Sequence, residues 1–399
     1  MGGGFAGIYC AKTLLKHKDV QVTLVNPTNY FLFVPMLHEV AGGSLSIKNI
    51  AETIREILFG RNFSFVQGTV CSIDLKKKVA VTLDVKIPYD YLVLATGSEA
   101  NFFNVPGADK FCFTLKNADD AHNLKLRIIS AVEQSFCDCG DKEALSSIVV
   151  VGAGATGVEL SLEIKELLDQ LLRSSAHNNS DGKVYLINSG DVPVPHFPRL
   201  QKNVLRALEK HKIILVNQTS VTEVLPDGVA LLHQEKNKKE ILKAGTIVWT
   251  AGVKPRTVKT VPSVFDARGF YPVNDFLQVQ GSSNVFAAGD CALFMQDGKP
   301  IPMLAQVATH QGVHVARNIL NAIHGDALKP FMFHVQGILM SLGKGKGVGV
   351  IWGVKISGFF AWWIMRTVYL FKILGVVNRL KAAYEWSLDL FVKRDTKEV

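Results

Sequence analysis

Residues Ser147 to Leu160 read SIVVVGAGATGVEL, and their reading decides the fold. Ile148 to Val151 are four consecutive β-branched apolar residues, the composition of a strand buried on both faces of a parallel sheet. Gly152, Gly154 and Gly157 follow at the G-x-G-x-x-G spacing, and a helical pattern runs on to Leu172. In that frame Gly152 permits a tight turn, Gly154 lets backbone amides approach a pyrophosphate, and Gly157 lets helix and strand pack closely. The helix start then faces the phosphates with unpaired N–H groups and a partial positive charge.

Working outward, the first ten residues, MGGGFAGIYC, carry a second fingerprint in Gly2, Gly4 and Gly7, about 150 residues upstream. No strand precedes it. The strand expected there would lie centrally in a parallel sheet, so its loss predicts unpaired backbone groups, an apolar slot and poor cofactor retention. A start assigned too late, or a fragment, is the expectation. Val20–Asn26 and Tyr89–Gly97 read as buried strands, and Asn49–Leu58 as an amphipathic helix. Lys183–Asn188, Gly245–Gly252 and Ser282–Ala292 read as further strands ending on small or polar residues. The alternation predicts an α/β fold with two Rossmann-like dinucleotide-binding domains.

The residue ending the second strand after each fingerprint sets nucleotide preference. A carboxylate there usually holds the adenosine ribose and would repel a 2′-phosphate by roughly 1–4 kcal/mol at about 4 Å. This chain has Asn188 and Asn26 instead. Asn188 predicts that NADPH is accepted alongside NADH, and Asn26 still offers a hydrogen bond to a ribose. Near the other end, AAGD places Gly289 and Asp290 after a small-residue strand end, suited to the ribityl or pyrophosphate region of FAD.

A chain of 399 residues, 48% hydrophobic and 20% charged, has room for two or three cores and is not disordered. Six cysteines form no C-x-x-C pair, and Cys137 and Cys139 in FCDCGD read as loop thiols, with metal binding or redox pairing as the rival reading. The net charge of +9 is regional. Between Ala327 and Tyr384 there is no acid, yet Lys329, Lys344, Lys346, Lys355, Arg366, Lys372, Arg379 and Lys381 all fall there, among many aromatic and aliphatic residues. That mixture fits an anionic membrane surface and not nucleic acid. Within Gly353–Asn378, the most apolar part, the longest uncharged run, Ile356 to Met365, is ten residues, against about twenty needed to span a bilayer. Interfacial amphipathic helices over Gly353–Asn378 and Val377–Val392 are therefore expected, with Trp352, Trp362, Trp363 and Trp386 in the headgroup zone. A buried core helix or a dimer interface is the alternative.

The ordered set GGGFAG, NYFLFVPMLHEVAGG, YDYLVLATG, GAGATGVEL, VWTAGV, VFAAGD and LAQVATHQG, with the tail ISGFFAWWIMRTVYLFKILGVVNRL, resembles the type II NADH dehydrogenases over nearly the whole chain. The resemblance implies an FAD domain from 1–113 and 253–330, an NAD(P)H domain over 114–252, and a membrane-associating region over 331–399. Gly2, Gly4, Gly7, Thr96, Gly97, Gly289 and Asp290 would contact FAD; Gly152, Gly154, Gly157 and Glu159 would serve the nicotinamide nucleotide. Ala305, Gln306 and Gln311 match the quinone motif, whereas His310 stands where a Gln is common. The implied catalytic set is Glu159, Gln306, His310 and Gln311, with no metal. Glu159 would influence hydride transfer, a helix-surface Glu paired with Lys being its bland alternative. His310 would supply a proton or merely face solvent.

The implied activity is hydride transfer from NAD(P)H to FAD and two electrons onward to a membrane quinone, ubiquinone or menaquinone. Without spanning helices no proton path crosses the bilayer, so no pumping is expected. The predicted location is peripheral, on the cytoplasmic face of the cell membrane, with a homodimer as a further possibility. The rivals are a sulfide:quinone oxidoreductase, whose paired reactive cysteines this chain does not match, and a truncated nucleotide-binding protein without turnover.

Overall fold

The computed structural model describes residues 1–137, 141–174, 182–389, 394 and 396. The chain divides into two compact units. The first comprises Met1–Leu32, Ala51–Glu99 and Val253–His334. Its helix Phe5–Leu14 leads to the strand Val22–Asn26, which pairs in parallel with Phe63–Gln67, Val22 opposite Phe63. Leu92–Leu94 pairs in parallel with Val285–Ala287, whose three residues are all buried. The two strand pairs are bridged by the first two residues. The Met1 amino group donates to Val93 O (2.9 Å), Ala95 N to Met1 O (2.9 Å) and Gly2 N to Val25 O (2.9 Å). The helix Ala305–His324 packs along Phe5–Leu14.

The second unit comprises Phe33–Ile50, Ala100–Gly252 and Val335–Val399. Its centre is a parallel sheet in the order Ile214–Val216, Lys183–Ile187, Ser147–Val151, Thr246–Trp249. Ser147–Val151 is buried along its whole length, as a central parallel strand must be. The helix Ala155–Ser174 follows it, and Ala118–Phe136 starts at Asn117, whose side chain accepts from Asp120 N at 2.8 Å as an N-cap. Val149, Val151, Ile247 and Trp249 form one core cluster with Val224, Val229 and Leu231 of an adjoining antiparallel sheet. The C-terminal part is a meander of Gly337–Ser341, Gly347–Ile351 and Val354–Gly358, then helices Phe359–Lys372 and Val376–Asp389.

Two expectations change. Asn49–Leu58 is not one amphipathic helix. Ala51–Thr53 pairs antiparallel with Tyr30–Leu32, and only Ile54–Ile57 turns as helix, so cross-strand pairing overrides the local apolar spacing. In the tail, helix begins only at Phe359, after a hairpin that the apolar composition concealed. Trp362 and Trp386 are buried against the Arg366 guanidinium, 5.1 and 4.5 Å from their ring centroids, so only Trp352 and Trp363 of the four expected headgroup tryptophans are exposed. Arg366, counted as a surface charge, is itself buried. Among the described residues no helix is long and apolar enough to cross a membrane. Cys139 lies outside the described residues.

Candidate active site

The two glycine fingerprints have the same construction. Gly2 has φ +98° and Gly152 φ +106°, left-handed values that disfavour any side chain. A Cβ on Gly2 would sit 2.1 Å from Ala95 O, and one on Gly152 2.5 Å from Ala251 Cα, each at the end of a neighbouring strand. A Cβ on Gly7 would lie 1.8 Å from Gly2 O, and one on Gly157 1.9 Å from Gly152 O. The middle glycines behave oppositely: around Gly4 and Gly154 no atom lies within 4 Å of an added Cβ. Both turns therefore close where helix meets strand and open where a pyrophosphate would lie. The Phe5–Leu14 helix has no side-chain cap and no acid in its first turn, which leaves its amides for an anion. Both cradles fit a dinucleotide.

The strand-end asparagines are committed to their own loops. Asn26 Oδ1 accepts from Gly3 N at 2.7 Å while its Nδ2 donates to Thr28 O at 2.8 Å, so it braces the first fingerprint. Asn188 Nδ2 donates to Gly190 O (2.9 Å) and to Asn217 Oδ1 (2.7 Å). In the first unit Ser98 Oγ donates to Asp290 Oδ2 at 2.6 Å, Thr96 Oγ1 donates to Arg256 O at 2.5 Å, and both Gly97 and Gly289 have positive φ. Thr96, Gly97, Gly289 and Asp290 are thus brought to the ends of two paired strands.

On the Ala305–His324 helix the quinone candidates separate. Gln311 is 1% exposed and its Oε1 accepts from Gly289 N at 2.7 Å. It holds the AAGD turn. His310 is exposed and meets the Phe333 ring edge-on at 5.6 Å, and Gln306 is half-buried one turn earlier. A small pocket is lined by Gly289, Asp290, Leu304, Val307, Ala308 and Gln311, and neither Gln306 nor His310 lines it.

Glu159 is not a helix-surface residue paired with lysine. Its Oε1 accepts from Ser341 N at 2.8 Å, and burial pushes its carboxyl up, with His38 pulling the other way. Around it lies a buried ionic cluster that composition did not signal. Glu39, fully buried, pairs with Arg366 and accepts from Trp386 Nε1 at 3.1 Å; burial pushes its carboxyl up to about 7. Glu163 pairs with Arg394 at 2.8 Å, and Glu166 pairs with the same guanidinium. Helical spacing of Glu159, Glu163 and Glu166 was the available signal, because i, i+4, i+7 places all three on one face.

Residues 1–312 match the pyridine nucleotide-disulphide oxidoreductase family. The type II NADH:quinone oxidoreductase NdhA of Mycobacterium tuberculosis is 30% identical over 98% of this chain and 86% of its own length. The chain belongs to the type II NADH:quinone oxidoreductases. Relatives in this family include that of Staphylococcus aureus, 28% identical over 94% of this chain and 95% of the relative. The structure of NDH2 from Plasmodium falciparum in complex with NADH shares the fold at a TM-score of 0.90, with 20% identity, covering 100% of this chain and 98% of that one. The sulfide:quinone oxidoreductase of Aquifex aeolicus shares it at 0.74 and 19% identity, covering 98% and 94%. In this type II NADH:quinone oxidoreductase chain the described cysteines are all free. Burial pushes the Cys10 and Cys112 thiols up to about 12 and raises Cys291, away from reactive thiolate.

Proposed function

We propose that the chain is a non-proton-pumping NADH:quinone oxidoreductase that uses FAD, a reading carried by two matched dinucleotide cradles in one family member. Gly2, Gly4 and Gly7, with Thr96, Gly97, Gly289 and Asp290, would hold FAD; Gly152, Gly154 and Gly157 would hold NADH. When bound, FAD supplies the redox chemistry, accepting a hydride and delivering two electrons to the quinone. The chain's own residues supply positioning. The two helix starts orient phosphates, and Ser98 keeps Asp290 aimed across the strand ends. Ser341 N fixes Glu159 beside the second fingerprint, where it would lie near the nicotinamide of bound NADH and tune hydride transfer. Gln306 and His310 bind the quinone head, His310 supplies it a proton, and Gln311 holds the turn on which they depend. Asn26 acts on FAD indirectly, through Gly3.

Purified protein carrying flavin should oxidise NADH with a soluble quinone and should not reduce quinone with sulfide; sulfide-driven reduction would overturn the assignment. Asn188 presents no carboxylate to a 2′-phosphate, so NADPH is accepted too. A kcat/KM favouring NADH by more than a hundredfold, equivalent to the about 2.7 kcal/mol that a retained charge repulsion would supply, would defeat that part.

The tail forms the membrane-facing surface. Phe360, Trp363 and Phe371 line one face of the first tail helix, and Val377, Leu380 and Tyr384 one face of the second, all exposed. Exposed Lys355 and Lys381 flank them. Binding at the cytoplasmic leaflet follows from the basic charge, at about 1 kcal/mol per Lys or Arg. A triple F360A/W363A/L380A variant should lose binding to anionic vesicles at least tenfold with its flavin intact. Unchanged binding, or conversion of a dimer to a monomer instead, would assign the face to self-association.

A further inference from the structure

The fingerprint helix carries a polar stripe where a buried face should be apolar. Glu159, Glu163, Glu166 and Gln170 fall on one side of Ala155–Ser174, and each meets the C-terminal region of the same unit. Ser341 N donates to Glu159 at 2.8 Å and Lys344 N to Glu166 at 2.9 Å. Arg394 pairs with Glu163 and Glu166, and its backbone N and O bond the Gln170 side chain at 2.9 Å each. The guanidinium also donates to Gly42 O and Glu163 O at 3.0 Å. Its side chain is 4% exposed. A single arginine thus inserts beneath the helix that begins at the nucleotide cradle. A stripe of carboxylates there would be prohibitively costly without it, since each buried charge needs a partner.

We propose that Arg394 and Glu163 form a positioning pair for the nicotinamide site, acting through Glu159. This rests on the reading that Glu159 faces the nicotinamide. Glu163 stands one helical turn from Glu159, and Ser44 Oγ donates to it at 3.1 Å. Burial pushes the Glu163 carboxyl up, but Arg394, His38 and Arg366 outweigh it and hold it below the ordinary range. It therefore stays ionised, and its negative charge makes Glu159 hold its proton more tightly, joined by that of Glu39 only above about pH 7, where Glu39 is itself ionised. The other groups facing Glu159 are His38, which acts in the opposite sense, and the Tyr369 phenol on the first tail helix. The C-terminal segment therefore contributes to nucleotide chemistry as well as to the membrane-facing surface.

The test compares pH profiles of kcat/KM for NADH, with a soluble quinone, in flavin-loaded full-length protein. Glu159→Gln should remove the limb that Glu159 gives the wild type. Glu163→Gln should keep that limb and move it to lower pH by about one unit, because a neighbouring negative charge has gone. Arg394→Gln, which deprives Glu163 of the guanidinium that keeps it ionised, should move the limb the same way as Glu163→Gln, and an unmoved limb in that variant would remove Arg394 from the pair. If Glu163→Gln does not fold, His38→Gln provides the second arm, with the limb expected to move to higher pH. A Glu163→Gln profile that superimposes on the wild type while Glu159→Gln alters it overturns the positioning pair and spares the Glu159 reading. A wild-type profile in Glu159→Gln overturns both.

Discussion

Gly154 and Gly157 stand three residues apart and should fail for opposite reasons when a methyl group is added. In Gly154→Ala the methyl would enter open space, so stability should change by less than about 1 kcal/mol while KM for NADH rises about tenfold or more, the methyl occupying the pyrophosphate's approach. In Gly157→Ala the methyl would strike Gly152 O, and thermal stability and NADH binding should fall together. Calorimetry beside NADH titration separates them; equal stability losses would mean that the cradle is not open at Gly154. Gln311 makes a similar distinction. Its buried amide serves Gly289 N, so Gln311→Ala should cost about 1–3 kcal/mol of stability and release flavin, because a buried donor loses its acceptor. A raised quinone KM with flavin and stability intact would instead make Gln311 a direct quinone ligand.

At the scale of elements, the tail shows what composition conceals. Its basic residues from Lys329 to Lys381 read as a membrane-facing excess, yet Arg366 among them is buried, as is Arg394 beyond them, and both answer carboxylates more than two hundred residues earlier in the chain. No local pattern announces such a pair, because the partners meet only after the unit has folded. The cluster also predicts a pH dependence of stability. Burial raises Glu39 and Glu166 from 4.5 to about 7, so the folded state binds more protons than the unfolded state across that interval. Their contribution is full below about 4.5 and is lost as pH rises through about 7. Glu163, held below the ordinary range, would act only at more acid pH. Stability should therefore decline between about pH 5 and 8, and Glu166→Gln should flatten the decline; a slope unchanged in that variant would remove Glu166 from the account.

At the scale of the whole molecule, the legible parts were those whose physics is local. A buried strand, a glycine turn and a helix declare themselves within about 30 residues, and both fingerprints, the AAGD turn and the absence of a spanning run could be read directly. Phe33–Ile50 clusters with the second unit through Glu39 and Ser44, whose partners Arg366 and Glu163 lie far along the chain, and nothing near those residues marks it. The division into units makes the cofactor sites separable. Gly7 and Gly157 occupy equivalent positions in different units, and an added methyl would strike backbone at 1.8 and 1.9 Å respectively. Gly7→Ala should strip flavin and abolish quinone reduction while NADH binding, read by quenching of its fluorescence, stays within about threefold of wild type, since the Gly157 cradle belongs to a unit with its own core. Gly157→Ala should keep flavin absorbance and lose NADH binding. Loss of both ligands in either variant would mean that each unit requires the other's cofactor to hold its own.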